Sequence, residues 1–273
     1  MCPRREPRSS YVFGSRQGLT LVELLLAVTI LSLIAGALGV LARTVSVSSQ
    51  YCDSVSTSIQ HGRVALDRIS RTIESAHANE NFPGAIVVSE TIAGVRHPNA
   101  LIAWRPQNAA VDGTGLPRFN ELVVYALNPA APNELFEFTA PTDTRTVPAV
   151  SNTATWQSEI AAFKTNSTTK KTLLTDRLRV SSTAGEPEKR GAVRFEVERR
   201  PSPTEWADYR ASTLAWDAVS WPQGIYGSQA GLSQTWVRTE LQMVPFASSR
   251  IVTSSESILP LLGSGAIYFE LHQ

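Results

Sequence analysis

Residues 18–42 read GLTLVELLLAVTILSLIAGALGVLA, and the reading of that stretch decides how the rest of the chain is understood. Within residues 19–42 the single charge is Glu23, and the next charge beyond is Arg43. At a rise of about 1.5 Å per residue a helix of that length spans about 36 Å, more than the roughly 30 Å hydrocarbon core of a bilayer. The segment is therefore expected to cross a membrane. Ahead of it, residues 1–18 carry Arg4, Arg5, Arg8 and Arg16 against Glu6. An arginine excess flanking a first span stays on the cytoplasmic side, so the remaining residues are expected beyond the membrane.

Three explanations of the segment compete. A cleaved secretory signal finds a small-x-small site at Ala35-Gly36-Ala37, but an acid five residues into the apolar run is costly for a simple signal core. A plain signal anchor accounts for the length and the arginines and leaves Glu23 without a reason. The third explanation supplies one. Gly18-Leu19-Thr20-Leu21-Val22-Glu23 resembles the type IV prepilin processing motif: a short basic leader, glycine, a hydrophobic first mature residue, threonine, two aliphatics and a glutamate, then a long apolar helix. The one departure is Leu19, where phenylalanine is commoner in that family.

The resemblance implies that prepilin peptidase cuts between Gly18 and Leu19 on the cytoplasmic face and that the new amino terminus at Leu19 is methylated. Glycine before the scissile bond lets the backbone lie extended against a protease. Glu23 would then sit one turn into the mature helix, where an unpaired carboxylate costs several kcal/mol unless it is protonated, reaches the interface or meets a cation. In the family that cation is the amino terminus of an adjacent subunit, which makes Glu23 an assembly contact. The plainer alternative is a glutamate that snorkels to the headgroups of a lone anchor.

The helix is expected to continue past the membrane. Val55, Ile59, Gly62, Leu66, Ile69, Ile73 and Ala76 recur at alternating spacings of four and three, one stripe of an amphipathic helix. No proline occurs between Pro7 and Pro83, so a nearly continuous helix from about Leu19 to about His77 is allowed. Gly36 and Gly39 are the positions at which it could loosen. The run from Gly62 through Arg63, Leu66, Arg68 and Arg71 to Ala76 is similar to the close of the first helix in J-type minor pseudopilins of type II secretion and in PilW-like minor pilins. A solvated arginine face over a buried aliphatic stripe would give the same residues.

Beyond Phe82-Pro83-Gly84, a helix stop, the period changes. Strands are expected at residues 85–88, 100–104, 121–127, 134–139, 192–198, 236–244 and 266–271, with the hairpin around residues 128–133 the clearest. The expected architecture is α+β and pilin-like, one long helix packed on an antiparallel sheet. Its parts are a leader at 1–18, a transmembrane segment at 19–42, an amphipathic extension at 43–80 and a β-rich extracytoplasmic globule at 81–273. Residues 141–171, rich in Thr, Ser, Ala and Asn, and residues 181–190 look inserted. Trp206, Trp216 and Trp221, with Tyr209 between, either form a partner surface or fill a core.

Composition excludes several classes. The net charge of +1 offers no basic excess for nucleic acid. Two cysteines, Cys2 and Cys52, rule out a disulfide scaffold, and Cys52 would be a free thiol once the leader is removed. Four scattered histidines argue against a metal site, and Asp112-Gly113-Thr114-Gly115 lacks the repeated carboxylates of a calcium loop. No phosphate loop, nucleophile elbow or zinc-protease motif occurs, so no catalytic residue, cofactor or small-molecule substrate is assigned. The resemblance therefore implies a minor pseudopilin or minor pilin, anchored in the bacterial cytoplasmic membrane, whose partners are prepilin peptidase, other pilin subunits and inner-membrane lipid. Glu23 counts against the K-type tip subunit, which typically lacks it. The rival is a single-pass anchored extracytoplasmic enzyme or sensor.

Overall fold

A computed structural model describes residues 20–92, 95–106, 115–182, 189–220, 230–251 and 258–272. It divides into two compact units, Met1–Tyr51 and Cys52–Gln273. Helix α1, Leu21–Glu74, runs unbroken for 54 residues. It ends three residues short of the expected His77. The Ala76 amide turns back to the Ile73 carbonyl, and the His77 amide is taken by the Trp104 carbonyl of a neighbouring strand. A backbone donor claimed by a sheet cannot extend a helix.

Strands β1 (Ala85–Ile92), β2 (Val95–Trp104), β3 (Leu122–Leu127), β4 (Leu135–Thr139) and β5 (Lys170–Thr175) form an antiparallel sheet in sequence order. A second antiparallel sheet has the order β10-β9-β8, from β8 (Val193–Arg200), β9 (Ala230–Met243) and β10 (Leu259–His272). A short hairpin joins β6 (Val180–Ser182) to β7 (Lys189–Gly191). Instead of the single expected sheet, the described strands thus form a five-stranded and a three-stranded sheet beside that hairpin. The crossing lies at residues 177–179, where the Leu178 amide bonds to Asn133 of the first sheet's hairpin and the Arg179 amide to Gln242 of β9.

The five-stranded sheet is covered on both faces, which explains why β3 reads as a continuous apolar run: all six of its residues are buried. Val123, Tyr125 and Leu127 face one core, together with Leu101, Leu135 and the α1 residues Ala65, Leu66, Ile69 and Ile73. Phe195, Val237, Leu241 and Ile267 of the second sheet close that core. Along β10 the odd-numbered residues point inward, and Gly263 and Gly265 let α1 approach closely. A Cβ at Gly265 would stand 3.0 Å from Ile73 Cγ2, and one at Gly263 would stand 3.0 Å from Leu66 Cδ2.

Leu122, Val124 and Ala126 face the other core, which holds Phe82, Trp104, Phe119 and Phe138. Its cover is helix α2, Thr153–Thr165, in the stretch that composition marked as inserted. Asn152 caps this helix by accepting from the Thr155 amide at 3.3 Å. Trp156, Ile160 and Phe163 are buried, and Phe119 packs between the rings of Trp156 at 6.3 Å and Phe163 at 6.2 Å. The charged turn read at 181–190 is in part the β6–β7 hairpin, residues 183–188 lying outside the described set. Helix α3 (Pro203–Arg210) carries Trp206 and Tyr209, whose rings lie 5.2 Å apart, with buried Trp216 5.3 Å from Tyr209. That arrangement supports the core-filling alternative for Trp216. Trp206 and Tyr209 are half-buried, and Trp221 lies outside the described residues.

Candidate functional site

The amino-terminal end of α1 is organised by two of its own side chains. Thr20 gives both its backbone N–H and its hydroxyl to Glu23 Oε2, each at 2.9 Å, and the Glu23 amide returns to Thr20 Oγ1 at 3.3 Å. This is a capping box, which satisfies donors that the first helical turn leaves without partners. The sequence shows it as Thr-x-x-Glu, a signal that the assembly reading of Glu23 passed over. Among the described residues Glu23 Oε1 takes no hydrogen bond, so the carboxylate keeps one oxygen for a further donor. Gly18 and Leu19, the positions of cleavage and methylation, lie outside the described residues.

From Leu21 to Ala42, Glu23 apart, the helix is apolar on every side. Leu21 is 75% exposed, Leu33 75% and Val40 69%, and its most apolar 18-residue window has no buried residue. A helix that is hydrophobic all round has no water-facing side to offer and belongs in lipid or against other apolar helices. Its few hydroxyls are turned back onto the backbone: Thr29 donates to the Leu26 carbonyl and Ser32 to the Val28 carbonyl, both at 2.8 Å. Gly36 and Gly39 do not interrupt the helix, and a Cβ at either would meet nothing within 4 Å.

Residues 14–39 match the family model of the prokaryotic N-terminal methylation motif. The match spans Gly18, Leu19 and Glu23 and supports a type IV pilin-like chain that is a substrate of prepilin peptidase; the single helix among the described residues that is long and apolar enough to cross a membrane is consistent with an inner-membrane anchor. No curated protein and no solved structure matches the chain.

The second resemblance, at residues 62–76, lies within the globular unit. Gly62, Leu66, Ile69 and Ile73 of the expected stripe are buried, while Val55, Ile59 and Ala76 are half-buried. Thr72 is buried too, and its hydroxyl is hydrogen-bonded to that of Tyr125 at 2.7 Å, which leaves the Tyr125 O–H to donate to Glu137 Oε2 at 3.2 Å. Arg68 forms a bidentate pair with Glu137 of β4, Nε to Oε2 at 2.6 Å and Nη2 to Oε1 at 2.7 Å. Burial pushes the Glu137 carboxyl up, but the Arg68 guanidinium and the Tyr125 hydroxyl outweigh it and hold the group below the usual carboxylate range. Burial raises the Tyr125 hydroxyl, keeping it a neutral donor. Arg71 pairs with Asp67 one turn back at 3.0 Å. Of the run's arginines, Arg68 thus fastens α1 to the sheet, while Arg71 pairs within the helix.

Cys52 is an exposed free thiol. Of the loop at 112–115 only Gly115 is described. Among the described residues no group of three or more His, Cys, Asp or Glu is placed to hold a metal ion.

Proposed function

We propose that this chain is a minor pseudopilin or minor pilin, of J-type or PilW-like kind, that is cut after Gly18, methylated on Leu19 and assembled into a type II secretion pseudopilus or type IV pilus. The observation that carries the reading is the methylation motif at residues 14–39 leading directly into a helix that is apolar on every side, with Glu23 in its first turn. Its work is binding and assembly rather than catalysis. Apolar helices pack laterally, Glu23 Oε1 receives the methylated amine of a neighbouring subunit, and that contact fixes the axial step between subunits. The globule then faces other minor subunits or exported protein outside the membrane. The arginine-rich run and the pilin-like α+β arrangement support the J-type or PilW-like assignment.

Intact-mass and N-terminal peptide mass spectrometry on protein extracted from membranes of the native host tests this. The expected chain begins at Leu19 and carries one added methyl group. A chain that keeps Met1, or one that begins near Leu38, overturns the reading.

A further inference from the structure

Between the two sheets of the globule runs a groove of about 800 Å³, lined on one side by β1 and β2 and on the other by β7 and β8. Its apolar lining includes Val87, Leu127, Phe195 and Val197, which are buried in or packed against the core behind them. Its charged lining is dominated by four arginines, Arg96, Arg190, Arg194 and Arg238, against Glu196 and Glu198.

The acids present are already divided among the bases. Glu196 is shared by Arg194 and by Arg238, the latter at 3.4 Å. Glu198 is drawn to Arg200 at 2.9 Å. Glu90, beside the groove, receives Arg190 at 2.8 Å and the buried Lys164 at 3.6 Å. Arg96 donates through Nε to the Ser89 hydroxyl at 2.9 Å, and among the described residues it has no carboxylate partner. Among the described residues the groove therefore carries more arginines than carboxylates, four against Glu196 and Glu198.

Two further observations show groups set for a ligand. The Arg238 guanidinium lies 4.7 Å from the centre of the Trp236 ring, a stacking that steadies a fork whose Nη1 it shares with Glu196 at 3.4 Å. His97 Nε2 is buried in the wall of the groove and has no hydrogen-bond partner among the described residues, an arrangement that costs free energy until something supplies one.

We propose that this groove is a docking site for an extended acidic peptide segment of a partner protein, its carboxylates taken by Arg96 and Arg238 and its apolar side chains laid on the Val87–Phe195 lining. Guanidinium forks recognise carboxylates with geometric as well as electrostatic specificity. Apolar lining that extends between the charged groups suits alternating acidic and apolar side chains better than a compact anion. β8 is the outer strand of its sheet, so an extended segment can run alongside it. The site lies wholly in the globular unit, and its success or failure is independent of processing at Gly18.

The test uses the full chain in a non-ionic detergent and fluorescence anisotropy of a labelled peptide alternating glutamate with valine, against the same peptide with glutamine for glutamate. The glutamate peptide is expected to bind, to weaken as salt is raised, and to exceed the glutamine peptide by about tenfold or more, the worth of one charge-assisted hydrogen bond. Arg96→Gln, which breaks no ion pair with a described residue, should lower that affinity by a similar factor, and Arg96→Lys should restore part of it. Arg238→Gln is the second variant, should Arg96→Gln fail to fold. Equal binding of the two peptides, or full affinity in both folded glutamine variants, overturns the proposal. So does a chain that ignores the glutamate peptide yet binds phosphatidylglycerol vesicles in an Arg96-dependent way, since the groove would then be a lipid-headgroup site.

Discussion

Glu137 is the residue on which the attachment of α1 to the sheet can be titrated. Its carboxyl is held below the usual carboxylate range in the folded protein, because the Arg68 fork and the Tyr125 hydroxyl outweigh the burial that opposes them. A folded-state value below the unfolded one contributes stability that is present above the unfolded value, near 4.5, and is lost as the pH falls through the folded one. Arg68→Met removes the fork and leaves a largely buried carboxylate without its cation. The expected loss at neutral pH is about 1–2 kcal/mol, the low end for such a pair because Arg68 is half exposed. As the pH is lowered through the carboxylate range, Glu137 protonates in both proteins and the difference shrinks. Urea midpoints measured at neutral and acid pH check this, and a difference that stays constant with pH would show that Arg68 acts through packing alone.

At the scale of elements, the close approach of α1 to β10 depends on residues without side chains. Gly265 sits under Ile73 and the Ser70 carbonyl, which a Cβ would meet at 3.0 Å and 3.3 Å. Gly265→Val inserts three carbons there and is expected to destabilise the globule by about 1–3 kcal/mol, the range for overpacking. Tryptophan fluorescence in urea should place its unfolding midpoint below that of the parent, and an unchanged midpoint would mean that α1 is free to lift. Much of this layout was legible. Alternating or continuously aliphatic runs marked seven of the ten strands among the described residues, since such patterns survive wherever a strand has a buried face. The β3–β4 hairpin was legible because Asn128 and Pro129 punctuate it, and Asn128 does close the turn with Glu134. Helix α2 was not. Its Thr, Ser and Ala content reads as loop, although Trp156, Ile160 and Phe163 at spacings of four and three behind Asn152 carry the helical signal. The division into two sheets was also closed to sequence reading, because it rests on backbone bonds at residues 177–179 that no side-chain pattern encodes. At the amino-terminal end, the long apolar helix and the methylation motif were legible, whereas the groove joins residues from β1, β2, β3, β7, β8 and β9 that are remote in sequence.

At the scale of the molecule the two units differ in where their apolar surface goes. The globule buries its aliphatic and aromatic residues in two cores drawn wholly from Ala65 onward. The unit Met1–Tyr51 leaves Leu21, Leu33 and Val40 open along its helix. Apolar surface of that kind is satisfied by lipid or by other apolar helices. Glu23 stands in its first turn, so a change there should act on assembly and leave the globule's cores alone. The capping box makes two separate roles for it measurable. Glutamine can replace glutamate at the third helical position of such a box, so Glu23→Gln keeps the cap and removes the charge, while Glu23→Ala removes both. If Glu23 meets a neighbour's amine, both variants are processed, both keep the parent's globule unfolding midpoint, and both fall out of the sheared fibre fraction. If Glu23 serves only to start the helix, the alanine variant is lost and the glutamine variant is incorporated at the parent's level. Immunoblots of sheared fibres beside membrane fractions separate the two outcomes. The second would withdraw the intersubunit role of Glu23 while leaving the processing site at Gly18 and Leu19 untouched, because peptidase cleavage and helix packing act on opposite sides of Thr20.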